Sequence, residues 1–182
     1  MKARKEVRAM VRIALSVSFL CICAMISIPF LTVSFTLQSL AVFSVLLLLG
    51  ARAGGVSILV YLALGALGLP VFSGFSGGIG VLFGQTGGFL LGFLLAVPVY
   101  AVFEKLAHGR RFLTVCGLIA VSITVYLSGA LWYYFLFARD TSFFASLAVT
   151  VLPFLLPDAA KITLSLLIGE RMKKHPSLLF VG

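Results

Sequence analysis

Apolar residues in this chain come in long runs, and polar residues are confined to short clusters between them. The runs lie near 10–32, 36–50, 54–69, 85–103, 112–137 and 153–169. At a rise of about 1.5 Å per residue, helices of this length suit a hydrocarbon layer about 30 Å thick, so the pattern predicts six transmembrane helices. The second and third runs are short, and Arg52-Ala53-Gly54-Gly55 between them predicts a tight turn. Arg139 to Thr150 begins too polar, and is too short, to cross, which predicts a loop with an interfacial helix. Gly68 to Phe93 holds nine of the eighteen glycines and is otherwise almost wholly apolar. Pro70 ends the third run, and Gly74, Gly77, Gly78 and Gly80 prevent a regular helix after it, while Val71, Phe72, Phe75 and Ile79 keep the segment apolar. Irregular backbone of this kind is tolerated at a membrane only where it folds onto protein or lines a cavity. Gly84, Gly87, Gly88 and Gly92 then open the fourth helix with residues small enough for close approach of another helix or of a ligand.

Composition agrees with the pattern. With 62% hydrophobic residues, 10% charged residues and a mean hydropathy of +1.20, the chain has too little polar surface to cover a water-soluble core. The fold class read from the sequence is therefore an all-α integral membrane protein, a single membrane domain over residues 1–182. The net charge of +9 raises the question of nucleic acid, and its distribution answers it. Lys2, Arg4, Lys5, Arg8 and Arg12 open the chain, Arg52, Lys105, Arg110 and Arg111 sit in two connections, and Arg171, Lys173 and Lys174 follow the last run. In a six-span chain, twelve of the fourteen Lys and Arg thus fall on one face. This is a positive-inside bias that puts both termini in the cytoplasm and the glycine segment outside, and it reads as topology rather than a nucleic-acid surface. The first run also resembles a signal peptide, but its length of about twenty residues and the lack of a cleavage site favour a retained helix.

Several chemistries are excluded. Cys21, Cys23 and Cys116 lie in apolar runs without His or carboxylate neighbours, so they read as small buried hydrophobes and no metal site is expected. The histidines, His108 and His175, fall in segments read as cytoplasmic, most of a membrane away from Ser73 and Ser76, which argues against a serine hydrolase. There is no GxxxxGK[ST] phosphate loop, so no enzyme activity or cofactor is expected of this chain.

Two intramembrane charges remain. In LPFLLPDAAKITL, Asp158 and Lys161 share a helix face, and Pro157 is expected in the first turn, where amide groups and the helix dipole favour the Asp158 charge. The pair either neutralises itself and caps the helix or faces a ligand pathway, and in both cases it points inward.

The motifs GLPVFSGFSGG (Gly68–Gly78), GQTGGFLLGF (Gly84–Phe93), FTLQSLAV (Phe35–Val42) and PDAAK (Pro157–Lys161) together resemble the BioY family of biotin-capturing S components of energy-coupling factor (ECF) transporters. The resemblance spans essentially the whole chain. It implies biotin binding near the outer face under the loop between the third and fourth helices, with Asp158 and Lys161 serving the ligand. It also implies a transmembrane coupling subunit and two ABC-type ATPases as partners in a bacterial or archaeal cell membrane. Where the family usually has GPTGGY, this chain has Gln85 for the proline and Phe89 for the tyrosine, so the phenol is lost and an aromatic wall is kept. Biotin's chemistry suits the residues. Phe72, Phe75 and Phe89 offer walls to its ring, Asp158 can accept from a ureido N–H, and Lys161 can donate to the ureido carbonyl. Ser73, Thr86 and Gln38 are further polar candidates, and Gly74 lets the covering loop bend. A related vitamin, or a structural subunit with no ligand, are the alternatives. Helix one is expected to carry the docking face, with Ala14 and Ser18 as its small residues.

Overall fold

A computed structural model describes residues 2–28 and 34–174 of the chain, all-helical apart from a two-stranded ribbon. The end of the first predicted span and His175 lie outside the described residues. Helix α1 (Lys2–Met25) leads into β1 (Ser27–Ile28), which pairs antiparallel with β2 (Phe35–Thr36) and so delivers the chain to α2 (Gln38–Ala66). A short 3-10 turn (Ser73–Phe75) and a single helical turn, α3 (Ile79–Leu82), occupy the glycine segment. The chain continues through α4 (Gly87–Ala107), α5 (Arg111–Phe137), the short α6 (Phe143–Thr150) and α7 (Leu152–Lys174). Among the described residues, five helices are long and apolar enough to cross a membrane: α1, α2, α4, α5 and α7.

The second and third predicted spans lie within α2, which is not straight. Gly50 has φ 76° and ψ 173°, a conformation open essentially to glycine alone, and the break falls there rather than at the expected 52–55. Its consequence is a hairpin. Gln38 Nε2 donates to the Tyr61 hydroxyl at 2.9 Å, although 23 residues of straight helix would hold them about 35 Å apart. The arms 38–49 and 51–66 therefore run antiparallel. Glu104 of α4 completes the bend, its Oε2 accepting the Ala51 N–H at 3.0 Å, where the second arm begins and its first N–H groups lack helical partners.

Glycines bring α4 and α5 together. A Cβ at Gly92 would collide with the Ser128 hydroxyl and come within 3.1 Å of the Val125 Cα, and one at Gly88 would meet Trp132 and the Ser128 carbonyl. The two helices thus pack backbone to backbone, and of the roles open to Gly88 and Gly92 it is helix packing that they fill. Positive φ at His108 and Gly109 turns the chain tightly between them.

The ends of the bundle differ. At one end the Gly50 bend meets Glu104, Leu47 meets Gly169, and Arg111 pairs with Glu170 at 2.8 Å. The basic residues Arg52, Lys105, Arg110, Arg111 and Arg171 belong to these same segments. The ribbon, the glycine segment and α6 lie at the opposite end. The core between them is apolar, with Leu20, Ala24, Ala41, Phe43, Leu46, Ile58, Tyr61, Ala96, Leu118 and Val121 buried. Outward-facing leucines, isoleucines and phenylalanines cover the flanks, as a lipid-facing surface requires.

Candidate functional site

The glycine-segment end encloses a cavity of about 180 Å³, and the chain builds it from four directions. The start of α2 contributes Gln38 and Ser39, the glycine segment Phe72, Ser73 and Ser76, α4 and its approach Thr86, Phe89 and Phe93, and α5 and α7 Tyr126, Asp158 and Lys161. Seven of the nine residues expected from sequence are thus brought together: Gln38, Phe72, Ser73, Thr86, Phe89, Asp158 and Lys161. Gly74 and Phe75 are not among the lining residues. Phe75 is 67% exposed, because the positive φ of Gly74 and of Phe75 itself turns its ring away from the cavity.

Phe72 is more an anchor than a wall. It is 1% exposed, its ring sits edge-on to Tyr61 with centroids 5.5 Å apart, and it fills the space that a side chain at Gly65 would need. One aromatic side chain therefore fastens the glycine segment onto the second arm of α2. Further bonds hold the segment. The Gly78 N–H donates to the Gly65 carbonyl at 2.7 Å, the Gly74 N–H to Ser27 Oγ at 3.1 Å, and Trp132 Nε1–H to the Gly84 carbonyl at 3.0 Å.

At the polar end, Asp158 and Lys161 are each 6% exposed and paired at 2.7 Å. Pro157 does not begin the helix. Since α7 starts at Leu152, Asp158 lies more than a turn inside it, and the expected help from helix-end amides is missing. Side chains take that role: Lys161 Nζ donates to Oδ1 at 2.7 Å, Ser39 Oγ to Oδ1 at 2.9 Å, and the Tyr126 hydroxyl to Oδ2 at 2.6 Å. A carboxylate offers about four acceptor positions, so one remains at Oδ2, beside the Tyr126 oxygen. Lys161 is saturated, because its other two donors go to the Thr36 carbonyl at 2.8 Å and to Ser39 Oγ at 2.9 Å. Lys161 thus meets the cavity with all three ammonium protons held by protein groups.

The other candidates keep hydrogen-bonding capacity. Among the described residues, the hydroxyls of Thr86 and Ser73 make no side-chain hydrogen bond within the protein, and Gln38 spends one amide proton on Tyr61. Sequence reading missed Ser39 and Tyr126. For Tyr126 a signal existed, since a tyrosine deep in an apolar run must find a partner for its hydroxyl.

The whole-chain likeness decides the family. The family model described as "BioY family" matches residues 1–177. The chain belongs to the BioY family. This BioY chain is 39% identical over 163 residues to the "Probable biotin transporter BioY" of Pyrococcus horikoshii, covering 88% of this chain and 93% of that one. It is 33% identical over 167 residues to the "Biotin transporter BioY" of Thermotoga maritima, with coverage of 92% and 96%. Its fold matches a crystal structure described as the S-component for biotin from an ECF-type ABC transporter, with a TM-score of 0.85 at 27% identity, over 96% of this chain and 95% of that one. As a BioY chain with several apolar helices, it is a multi-pass membrane protein.

Proposed function

We propose that this chain is a biotin-binding S component of an ECF transporter, capturing biotin from outside the cell and passing it inward. The observation that carries the reading is the polar end of the cavity, where Asp158 keeps one acceptor position open beside Tyr126 while every proton of Lys161 is engaged. Such an end receives N–H donors and repels a carboxylate. Biotin's ureido ring supplies donors, so it enters first, against Phe89 and Phe93, with Thr86, Ser73 and Gln38 as partners for its remaining polar atoms. The valerate tail points toward the glycine segment and water, where its charge stays solvated.

Both arms of α2 cross the membrane in this reading, giving six spans with both termini cytoplasmic. The antiparallel hairpin and the gathering of basic residues at the bend end support it. The arms are short, 12 and 16 residues, or about 18 and 24 Å, which suits a site that opens below the membrane surface. A coupling subunit and two ABC-type ATPases supply the energy, and the chain itself performs no catalysis. Ala14 and Ser18 are exposed on α1, with the Ser18 hydroxyl folded back onto the Ala14 carbonyl at 3.1 Å, leaving a low surface suited to close contact with the coupling subunit. Bacteria and archaea both supply the relatives, and the cell membrane of such an organism is the expected location.

Equilibrium binding of labelled biotin to the purified chain tests the reading, with other vitamins as competitors. Saturable binding displaced by biotin alone is the expected result. Binding no stronger than to empty membranes would favour a structural subunit, and stronger displacement by another vitamin would reassign the ligand.

A further inference from the structure

Between Arg52 and Glu104 the sequence has not one Asp, Glu, Lys, Arg or His, and the glycine segment lies within this stretch. Phe72, Ser73 and Ser76 form its cavity side. Its other side is apolar and uncovered: Phe75 is 67% exposed, Ile79 64% and Phe83 65%. Ile79 and Phe83, four residues apart across the turn of α3, share a face. Leu67 and Leu69, which lead into the segment, are exposed as well. By contrast, the connection between α5 and α6 at the same end of the bundle carries Arg139 and Asp140, both exposed, as a loop in water does.

Helix lengths set the depth of the segment. From the charged end at Arg52 and Glu104, the second arm of α2 rises about 24 Å to Ala66, and α4 about 27 Å to Gly87. Both fall short of a hydrocarbon layer about 30 Å thick, so the segment begins and ends below its outer edge. On α5, Arg111 to Trp132 spans about 33 Å, which puts Trp132 at that edge, the usual level of membrane tryptophans. Its ring lies 6.2 Å from that of Phe83, and its Nε1–H donates to the Gly84 carbonyl at 3.0 Å. The uncovered side of the segment is thus continuous with the lipid-facing flank. We infer that the glycine segment is a lid set in the outer leaflet, with Phe75, Ile79 and Phe83 among lipid acyl chains and Phe72, Ser73 and Ser76 turned to the cavity. The inference rests on both arms of α2 crossing the membrane and not on the identity of the ligand.

Irregular backbone can lie against lipid only if its polar groups are met within the protein. The segment meets this demand: the Phe72 N–H donates to the Ser76 carbonyl at 2.9 Å, the Gly74 N–H to Ser27 Oγ at 3.1 Å, the Gly78 N–H to the Gly65 carbonyl at 2.7 Å and the Val81 N–H to the Gly78 carbonyl at 3.1 Å. Positive φ at Gly74 and Phe75 then sends Ser73 to one side and the Phe75 ring to the other within two residues. A motif aromatic that never reaches the cavity thereby acquires a place, as the anchor of the lid in lipid.

The test uses the full chain in phosphatidylcholine–phosphatidylglycerol vesicles, in a background lacking Cys21, Cys23 and Cys116. A nitroxide is attached in turn to Phe75→Cys, Ile79→Cys and Phe83→Cys, with Asp140→Cys as the water reference and Leu59→Cys, exposed midway along the second arm, as the hydrocarbon reference. The ratio of collisions with oxygen to collisions with a water-soluble nickel chelate should be several-fold higher at 75, 79 and 83 than at 140. A ratio like that at 140 would place the lid in water, and few collisions with either reagent would mean that protein covers it, in a second copy of the chain or otherwise; each overturns the proposal. A water-like ratio at 59 would refute the crossing of the second arm, and the proposal with it. Should the labelled variants fail to fold, Phe75→Trp keeps an aromatic side chain there. Its fluorescence, taken as the difference from the unmodified chain, should be quenched by phosphatidylcholine brominated on its acyl chains and spared by aqueous acrylamide, and the reverse would overturn the proposal.

Discussion

Replacing Asp158 by Asn tests the polar end of the cavity with the smallest change in shape. The carboxylate accepts from Lys161 at 2.7 Å, Ser39 at 2.9 Å and Tyr126 at 2.6 Å, and it is 6% exposed, so none of these bonds is shared with bulk water. An Asn can keep its oxygen toward Lys161 and Ser39, but its amide then faces Tyr126 and the cavity with donors. The position offered to a ligand N–H becomes N–H itself, and Lys161 is left as an uncompensated buried cation. A hydrogen bond to a charged group is worth about 1.5–3 kcal/mol and breaking a buried ion pair costs about 3–5 kcal/mol, part of which falls on stability rather than binding. An affinity loss of about 2 kcal/mol or more, roughly thirtyfold, is therefore expected. Equilibrium binding of labelled biotin to purified Asp158→Asn measures it, with Asp140→Asn, an exposed carboxylate away from the cavity, as a control that should bind normally. Near-unaltered affinity in Asp158→Asn, with the control behaving as stated, would refute the role given to the carboxylate.

Phe72→Ala removes the anchor between Gly65 and Tyr61, a change of the size that costs about 3–5 kcal/mol in a packed core; it should weaken biotin binding and make residues 73–80 readily cleaved by protease, and a resistant loop would count against the anchoring role. Gly50→Ala must leave its backbone conformation and displace Glu104, so a lower melting temperature in detergent, equivalent to about 1–3 kcal/mol, is expected, and an unchanged one would contradict the hairpin at this residue. Cysteine scanning in intact cells should label position 73 or 139 from outside with an impermeant reagent and leave position 108 unlabelled; labelling at 108 would reverse the topology.

How far the sequence disclosed this protein depends on which forces set each feature. Apolar run length located α4 and α5 to within a few residues, because in a membrane the hydrocarbon itself selects helix and its extent. It located the hairpin within α2 too, but placed the turn at the visible Arg52-Ala53-Gly54-Gly55 break. Gly50 makes the turn because Glu104, more than fifty residues away, waits to cap the second arm, and such a partner leaves no local signal. Asp158 and Lys161 were legible because charge inside an apolar run is costly and must be explained. The hydrogen bonds that satisfy them were not, since they come from Thr36, Ser39 and Tyr126, which tertiary packing brings from three other segments. Phe75 shows the reverse error: an aromatic in the right motif faces outward because backbone torsions at two adjacent residues decide where its ring goes.

The central claim is that this cavity reads biotin through its ureido ring at Asp158 and leaves the carboxylate near water. Competition of biotin methyl ester, and of a biotin analogue methylated on a ureido nitrogen, against labelled biotin on the purified chain addresses it directly. The ester should compete nearly as well as biotin, while the methylated analogue, lacking the N–H that Asp158 accepts, should compete at least tenfold less well, the scale of one charged hydrogen bond of about 1.5 kcal/mol or more. Strong loss on esterification together with tolerance of the ureido change would contradict the account, placing the carboxylate at the buried end of the cavity.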